Sequence, residues 1–293
     1  MKKVLLTGFS GFLGNTILDF LEYNKYEVVK VGRNNKADIK CDLSLDKLPN
    51  VEVDYVIHVA GKAHVIPKTD IEKDEFFKVN YNGTKNLLTG LNLVKLKTII
   101  FISTVAVYGK ETGELINETA PLLGVTPYSL SKIKAEEILI KFGAKNNIKV
   151  VVLRLPLITG KNPVGNLSGL SNAIQKGYYF RIGKGDAQRS IISAKDVAKV
   201  IPELLNLNGI YNYTDCTHPT IAQIDTVIAN KYNKKIKKLP KFLLELISKI
   251  GDIIRVFPFN SSKFEKLTKT LTFSNKKILQ HIKFKPINGL SDI

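Results

Sequence analysis

The sequence predicts an α/β protein: a doubly wound parallel sheet followed by a smaller, mostly helical C-terminal portion. Three observations predict it. First, the apolar run Lys3-Val4-Leu5-Leu6-Thr7 enters a glycine-rich turn at Gly8, Gly11 and Gly14. Second, strand-like and helix-like stretches alternate up to Arg154, which is the pattern of parallel strands joined by crossover helices. Third, that rhythm stops at Pro156, Gly160, Pro163, Gly165 and Gly169, residue types that mark loops.

The elements follow in order. A short apolar run with a polar start suits a buried parallel strand. After the glycine turn, Leu13, Ile17, Leu18 and Leu21 share one face of a helix. Glu27–Gly32 reads as the second strand and Asp54–Val59 as the third. Residues 71–93 read as helix and Lys97–Ser103 as strand. Residues 127–145 read as helix and Lys149–Arg154 as strand. Beyond these, 168–177, 195–206, 220–231, 240–256 and 274–281 read as helices. The division expected is a dinucleotide-binding domain over 1–155, with segments returning to it from about 188–215, and a substrate-binding portion over 156–293.

The chain has 293 residues, 44% of them hydrophobic, enough for a sizeable core. Lys2 and Lys3 before an apolar stretch would also suit a secretory signal, but glycines and Phe9 interrupt it and Asp19 and Glu22 continue an amphipathic helix. Cys41 and Cys216 supply neither a disulfide framework nor metal spacing, so a reducing, cytoplasmic setting is expected. No metal-ligand set stands out, and His218 has no companion. The net charge is +18. Its lysines cluster at 231, 234, 235, 237, 238 and 241, without the aromatic interleaving of nucleic-acid binders. We read this cluster as a solvated surface, and the apolar helix of Lys241–Phe257 as packed on the core. A weak peripheral membrane contact through that segment is the alternative. A homodimer is also compatible with the sequence.

Strand, glycine turn and helix together suit a dinucleotide. Glycine permits the tight turn, the close approach of the pyrophosphate and the packing of helix on strand. The candidate contacts are Gly8, Ser10, Gly11, Phe12, Leu13 and Gly14, with amides at the helix start holding phosphates. The spacing G-x-x-G-x-x-G departs from the commoner G-x-G-x-x-G. Strand two ends in Gly32-Arg33-Asn34-Asn35 without an acid for a ribose 2′-hydroxyl, so Arg33 points to a 2′-phosphate and to NADP over NAD. Tyr128 and Lys132 stand four apart in Thr126-Pro127-Tyr128-Ser129-Leu130-Ser131-Lys132, and Pro127 suits a helix start. On a helix the two side chains share a face. An ammonium favours the phenolate of a nearby tyrosine, so the pair suits proton exchange with an alcohol or carbonyl oxygen.

These residues resemble the extended short-chain dehydrogenase/reductases, specifically the NAD(P)-dependent nucleotide-sugar epimerase, dehydratase and reductase branch. The resemblance is close over about the first 200 residues and looser beyond. It implies a Rossmann fold, NADP or NAD as cofactor, and a nucleotide-sugar substrate. By the same resemblance, Asp42 and Leu43 hold the adenine, and Val59 and Ala60 lie beneath the cofactor. Asn80 braces sheet and active site, Ser103 lies at the cofactor, and Lys132 also reaches the nicotinamide ribose. Ser103-Thr104-Val105-Ala106-Val107-Tyr108-Gly109 resembles the segment that supplies the catalytic hydroxyl, here Thr104. Arg189 and the Asn166-Leu167 pair match residues that grip the substrate diphosphate, and His64 falls near the sugar. Sugar 4,6-dehydratases carry Asp-Glu after that hydroxyl; this chain carries Val105-Ala106. The resemblance therefore implies hydride exchange at one sugar carbon, as a C4 ketoreductase or a 4-epimerase. A non-catalytic, cofactor-sensing regulator is the rival of another class.

Overall fold

The computed structural model describes residues 2–253 and 261–293. Seven strands form one sheet: β1 (Lys3–Thr7), β2 (Glu27–Gly32), β3 (Ile39–Lys40), β4 (Tyr55–His58), β5 (Thr98–Thr104), β6 (Lys149–Leu155) and β7 (Gly209–Asn212). Their spatial order is β7-β6-β5-β4-β1-β2-β3, and every neighbouring pair is parallel. This is the Rossmann order, extended by one strand at the β6 edge.

The strands read as unbroken apolar runs because both faces are covered. Val4, Leu6, Ile57, Ile100, Val151 and Leu153 face one core. The alternate residues Leu5, Val56, Ile99, Phe101, Val150 and Val152 face the other. Helices α1 (Phe12–Tyr23) and α6 (Ala194–Leu204) cover the first face through residues such as Ile17, Leu21, Val197 and Ile201. Helices α3 (Gly83–Thr89) and α4 (Pro127–Asn146) cover the second through Leu87, Ala135 and Leu139. Burying each such aliphatic side chain stabilises the fold by roughly 1.5–3 kcal/mol. The chain end also joins the first core, through Ile278 and Ile282.

The helix expected over 71–93 is three pieces. α2 (Asp70–Phe76) starts with a capping box between Thr69 and Glu72 and runs into a π-helical stretch, Phe77–Asn82, before α3. It stops early because Gly90 lies against the Leu48 and Pro49 carbonyls, and Leu91–Asn92 then pairs with Val51–Glu52. In the C-terminal portion, α5 (Asn166–Lys176), α7 (Ile221–Lys231) and α8 (Lys241–Ile253) follow the expected helices; residues 254–256 of the last expectation lie outside the described residues. The stretch expected at 274–281 is helical only over Lys276–Leu279.

Candidate active site

β1 and β4 lie side by side, but their following helices pack on opposite faces of the sheet. The connections that leave the carboxyl ends of the two strands therefore diverge there, and ligands of open α/β sheets bind in such crevices. A cleft of about 1380 Å³ opens at this point. The glycine turn forms its floor. Gly8 has φ 70°, and a Cβ there would lie 2.6 Å from the Ala60 amide nitrogen. A Cβ on Gly14 would overlap the Gly8 carbonyl oxygen, so α1 packs directly on the turn. Gly11 precedes α1 without a side-chain cap, which leaves the first helical amides, those of Phe12 and Leu13, without a capping side chain at the cleft, where Ser10 of the turn also lies. That donor set suits a pyrophosphate.

Beneath the turn, Thr7 accepts a hydrogen bond from the Ala60 amide at 3.1 Å and bonds His58 Nδ1 at 2.7 Å. The other ring nitrogen of His58 meets the Thr84 hydroxyl at 3.0 Å. Burial, then the nearby Lys132 charge, pushes His58 down to about 3, so this ring is a neutral strut between β1, β4 and α3. Val59 and Ala60 line the cleft above it.

At the end of β2, Arg33 is 79% exposed and its guanidinium lies 4.0 Å from the Asp42 carboxylate. Burial alone would raise Asp42, but the hydroxyl and amide of Ser44, with Arg33 and Lys78 nearby, hold it below the usual carboxylate range. Arg33, Asp42 and Leu43 thus close one end of the cleft together.

The catalytic candidates come from two elements. Thr126 caps α4 by accepting the Ser129 amide at 3.1 Å, with Pro127 in the first turn. The helix then brings Tyr128 and Lys132 to the end of β5. Tyr128 is half-buried and lines the cleft beside Thr104, whose hydroxyl accepts the Ala106 amide at 3.1 Å. Burial pushes the Tyr128 phenol up, and the neighbouring Thr104 hydroxyl opposes this. The Lys132 ammonium donates to the Ile102 carbonyl at 2.6 Å and stands 3.9 Å over the Phe101 ring. Burial pushes Lys132 down to about 7. Val105 and Ala106 follow in a 3-10 turn lining the same cleft.

Two expected residues sit behind this surface. Asn80, in the π-helical stretch, is 2% exposed. It accepts the Lys62 amide at 2.6 Å and donates to the Lys62 carbonyl and the Ser131 hydroxyl at 3.0 and 2.9 Å. It ties the loop after β4 to α4. Ser103 reaches the cleft edge, but its hydroxyl donates to Glu136.

Glu136 belongs to a network that sequence reasoning missed. Its carboxylate accepts from Arg154 Nη2 at 2.6 Å, and both groups are buried. Arg154 Nη1 donates to the Tyr108 hydroxyl at 3.0 Å, which donates to Asn212 at 2.8 Å. The network joins α4 to β5, β6 and β7 directly behind the catalytic candidates. A signal was present: Tyr128, Lys132 and Glu136 recur at i, i+4 and i+8, so an acid lies on the helix's inward face.

The far wall carries the substrate candidates. His64 has φ 61°, and its ring occupies the space that a Cβ on Gly165 would need. Gly165 itself has φ 71° and precedes α5, so the Asn166 and Leu167 amides fall in the first helical turn. Arg189 lines the cleft from the loop before α6, and its guanidinium donates to the Gln188 and Lys269 carbonyls at 2.8 and 2.7 Å. His64, Asn166, Leu167 and Arg189 therefore share one cleft with Tyr128 and Thr104.

The NAD dependent epimerase/dehydratase family model matches residues 4–212. The chain belongs to that family. Within reach of it is GDP-6-deoxy-D-talose 4-dehydrogenase of Aggregatibacter actinomycetemcomitans, 30% identical over 210 residues, covering 70% of each chain. UDP-glucose 4-epimerase of Azospirillum brasilense is 29% identical over 178 residues, 56% of this chain, and the match spans only about half, 51%, of that relative. The fold matches a structure of RMD from Pseudomonas aeruginosa complexed with NADPH, with a TM-score of 0.75 at 20% identity, over 99% of this chain and 96% of that one.

Proposed function

We propose that this protein is an NAD(P)-dependent oxidoreductase acting at a ring carbon of a nucleotide-activated sugar, as a C4 ketoreductase in the synthesis of deoxysugar or surface-polysaccharide precursors. One observation carries the reading. The Tyr128 phenol and Thr104 hydroxyl neighbour each other in one cleft with the glycine turn. A nicotinamide dinucleotide, when bound, supplies the hydride. The amides of the α1 first turn would hold its phosphates, Asp42 and Leu43 its adenine, and Lys132 its ribose. Tyr128 donates its proton to the carbonyl oxygen as that oxygen becomes a hydroxyl. A phenol whose pKa burial raises is protonated at neutral pH, which suits the acid of a reduction. Thr104 hydrogen-bonds the same oxygen and shares its developing charge. The Lys132 ammonium stabilises the phenolate left behind.

A 4-epimerase uses the same groups in both directions and is the second reading; the relative from Azospirillum brasilense supports it. The arginine in place of an acid after β2 supports the reductase. To test the choice, purified protein is incubated with UDP-hexoses and with UDP-4-keto-sugars, and the absorbance of added reduced cofactor is followed with product analysis. Stoichiometric cofactor consumption with a 4-keto substrate supports the reductase. Interconversion of hexose epimers without net consumption replaces it with the epimerase.

Three expected results arise here. Arg33, exposed at the adenosine end, favours NADP through its 2′-phosphate. Wild type is expected to bind NADPH more tightly than NADH, and Arg33→Ala to lose that preference; tighter NADH binding by wild type refutes it. Arg189→Leu is expected to weaken nucleotide-sugar binding by about 1.5–3 kcal/mol, the range for hydrogen bonds to charged groups, and to spare dinucleotide affinity. Equal loss of both in calorimetry would instead indicate a disturbed fold. Elimination of water across C5 and C6 requires a positioned base and acid, and Val105 and Ala106 are neither. No 4-keto-6-deoxy product is expected from UDP-N-acetylglucosamine or dTDP-glucose, and its detection by mass spectrometry would overturn the assignment.

A further inference from the structure

Away from the cleft, helix α8 of the C-terminal portion exposes apolar side chains. Strand Phe180–Ile182 pairs in parallel with Lys237–Leu239, Phe180 opposite Lys237. The Gly183 amide donates to the Leu239 carbonyl at 2.8 Å, and α8 begins at Lys241, so strand pair and helix start form one surface. On α8, Phe242, Leu243 and Leu246 are 61%, 43% and 56% exposed, while the polar Ser248 is 1% exposed. The expected packing of these apolar residues on the core is therefore not what the structure has. A surface helix ordinarily turns its apolar stripe inward. On the adjoining strand pair and just before it, Phe180 and Tyr178 are also 41% and 61% exposed. Contiguous exposure of large apolar side chains marks an interaction surface.

The rim identifies the partner. Lys234, Lys235, Lys237, Lys238 and Lys241 fall within eight residues that contain no acid, and all five are exposed. Lys237 Nζ stands 5.9 Å over the Phe180 ring. The acids nearby are engaged: Glu245 with Lys249 at 3.3 Å, and Asp252 with the Ser261 amide at 3.0 Å. A second copy of this chain would bring the same five lysines against these, so like charges oppose self-association through this face. Among the described residues no helix is long and apolar enough to cross a membrane.

We propose that this surface docks the protein on anionic phospholipid bilayers, with Phe242, Leu243 and Leu246 entering the headgroup boundary and the five lysines meeting lipid phosphates. Apolar insertion or basic charge alone gives marginal binding, whereas the two together anchor. Lysine stems lie along apolar surface while their ammonium groups stay in water, which suits this arrangement.

The test uses the full chain in co-sedimentation with vesicles of phosphatidylcholine alone and of phosphatidylcholine with phosphatidylglycerol. Wild type is expected to bind the anionic vesicles about tenfold or more tightly than the neutral ones, with binding weakened by salt. Phe242→Glu with Leu246→Glu, and separately glutamine at the five lysines, are each expected to lower that binding about tenfold or more without lowering the melting temperature. Three results would overturn the proposal. One is no preference for anionic vesicles. Another is wild-type binding by the Phe242→Glu, Leu246→Glu protein, which would make the adsorption purely electrostatic. The third is self-association of wild type in sedimentation velocity that this double variant abolishes, which would assign the face to a second copy. The lysine variant changes only exposed side chains, so it separates lost docking from lost folding.

Discussion

Tyr128→Phe is expected to lose turnover by about 10²-fold or more, the scale of general acid catalysis, while binding dinucleotide as wild type does. The substitution removes one oxygen and leaves the ring, which packs beside Phe76 with centroids 6.1 Å apart. What disappears is the proton donor beside Thr104. Lys132 keeps its bond to the Ile102 carbonyl at 2.6 Å, which does not involve Tyr128. Cofactor affinity measured by fluorescence titration should therefore stay within about twofold, well under the 1.4 kcal/mol of a tenfold change. Turnover close to wild type would remove Tyr128 from the mechanism. A parallel collapse of cofactor binding would mean that the phenol holds the cofactor more than it moves a proton.

Glu136→Gln is expected to destabilise the fold by about 3–5 kcal/mol, because it leaves the buried Arg154 guanidinium without a counter-charge. Both side chains are 2% exposed. Burial disfavours the Arg154 charge, and the hydrogen bond and charge of Glu136 more than offset that. Glutamine retains the shape and one acceptor but not the charge, and the Ser103 hydroxyl loses its carboxylate partner. Urea unfolding reads the loss as a lower midpoint at unchanged slope. The double variant Glu136→Gln, Arg154→Met removes the orphaned charge and is expected to regain part of it, leaving Tyr108 and Asn212 to pair with each other at 2.8 Å. A loss under about 1 kcal/mol in the single variant would show that water reaches the guanidinium.

Much of the first half was legible in the chain because its signals are local. β1, β2, β4, β5 and β6 begin and end within one or two residues of the apolar runs that announced them. A strand covered on both faces must be apolar at every position, and that needs no knowledge of its neighbours. The shared face of Tyr128 and Lys132 likewise follows from helix geometry alone. The short strand β3 and the break at Gly90 were not legible. Each depends on a backbone partner from elsewhere, β2 for the first and the Leu48–Pro49 carbonyls for the second.

By itself, then, the sequence determined the doubly wound class, the glycine turn and the Tyr–Lys spacing, since all three are written in residues a few positions apart. Only the tertiary structure brought Thr104, at the end of β5, beside Tyr128 on α4, a pairing that the sequence carried by resemblance alone. It also decided that Ser103 is held by Glu136 and that Glu136 faces Arg154. It placed His64 against Gly165, about 100 residues later in the chain. It turned Phe242 and Leu246 outward, although their helical spacing is equally good for a buried stripe. Periodicity states that a face is apolar; what that face meets is set by the long-range packing of the remaining chain, which no local window contains.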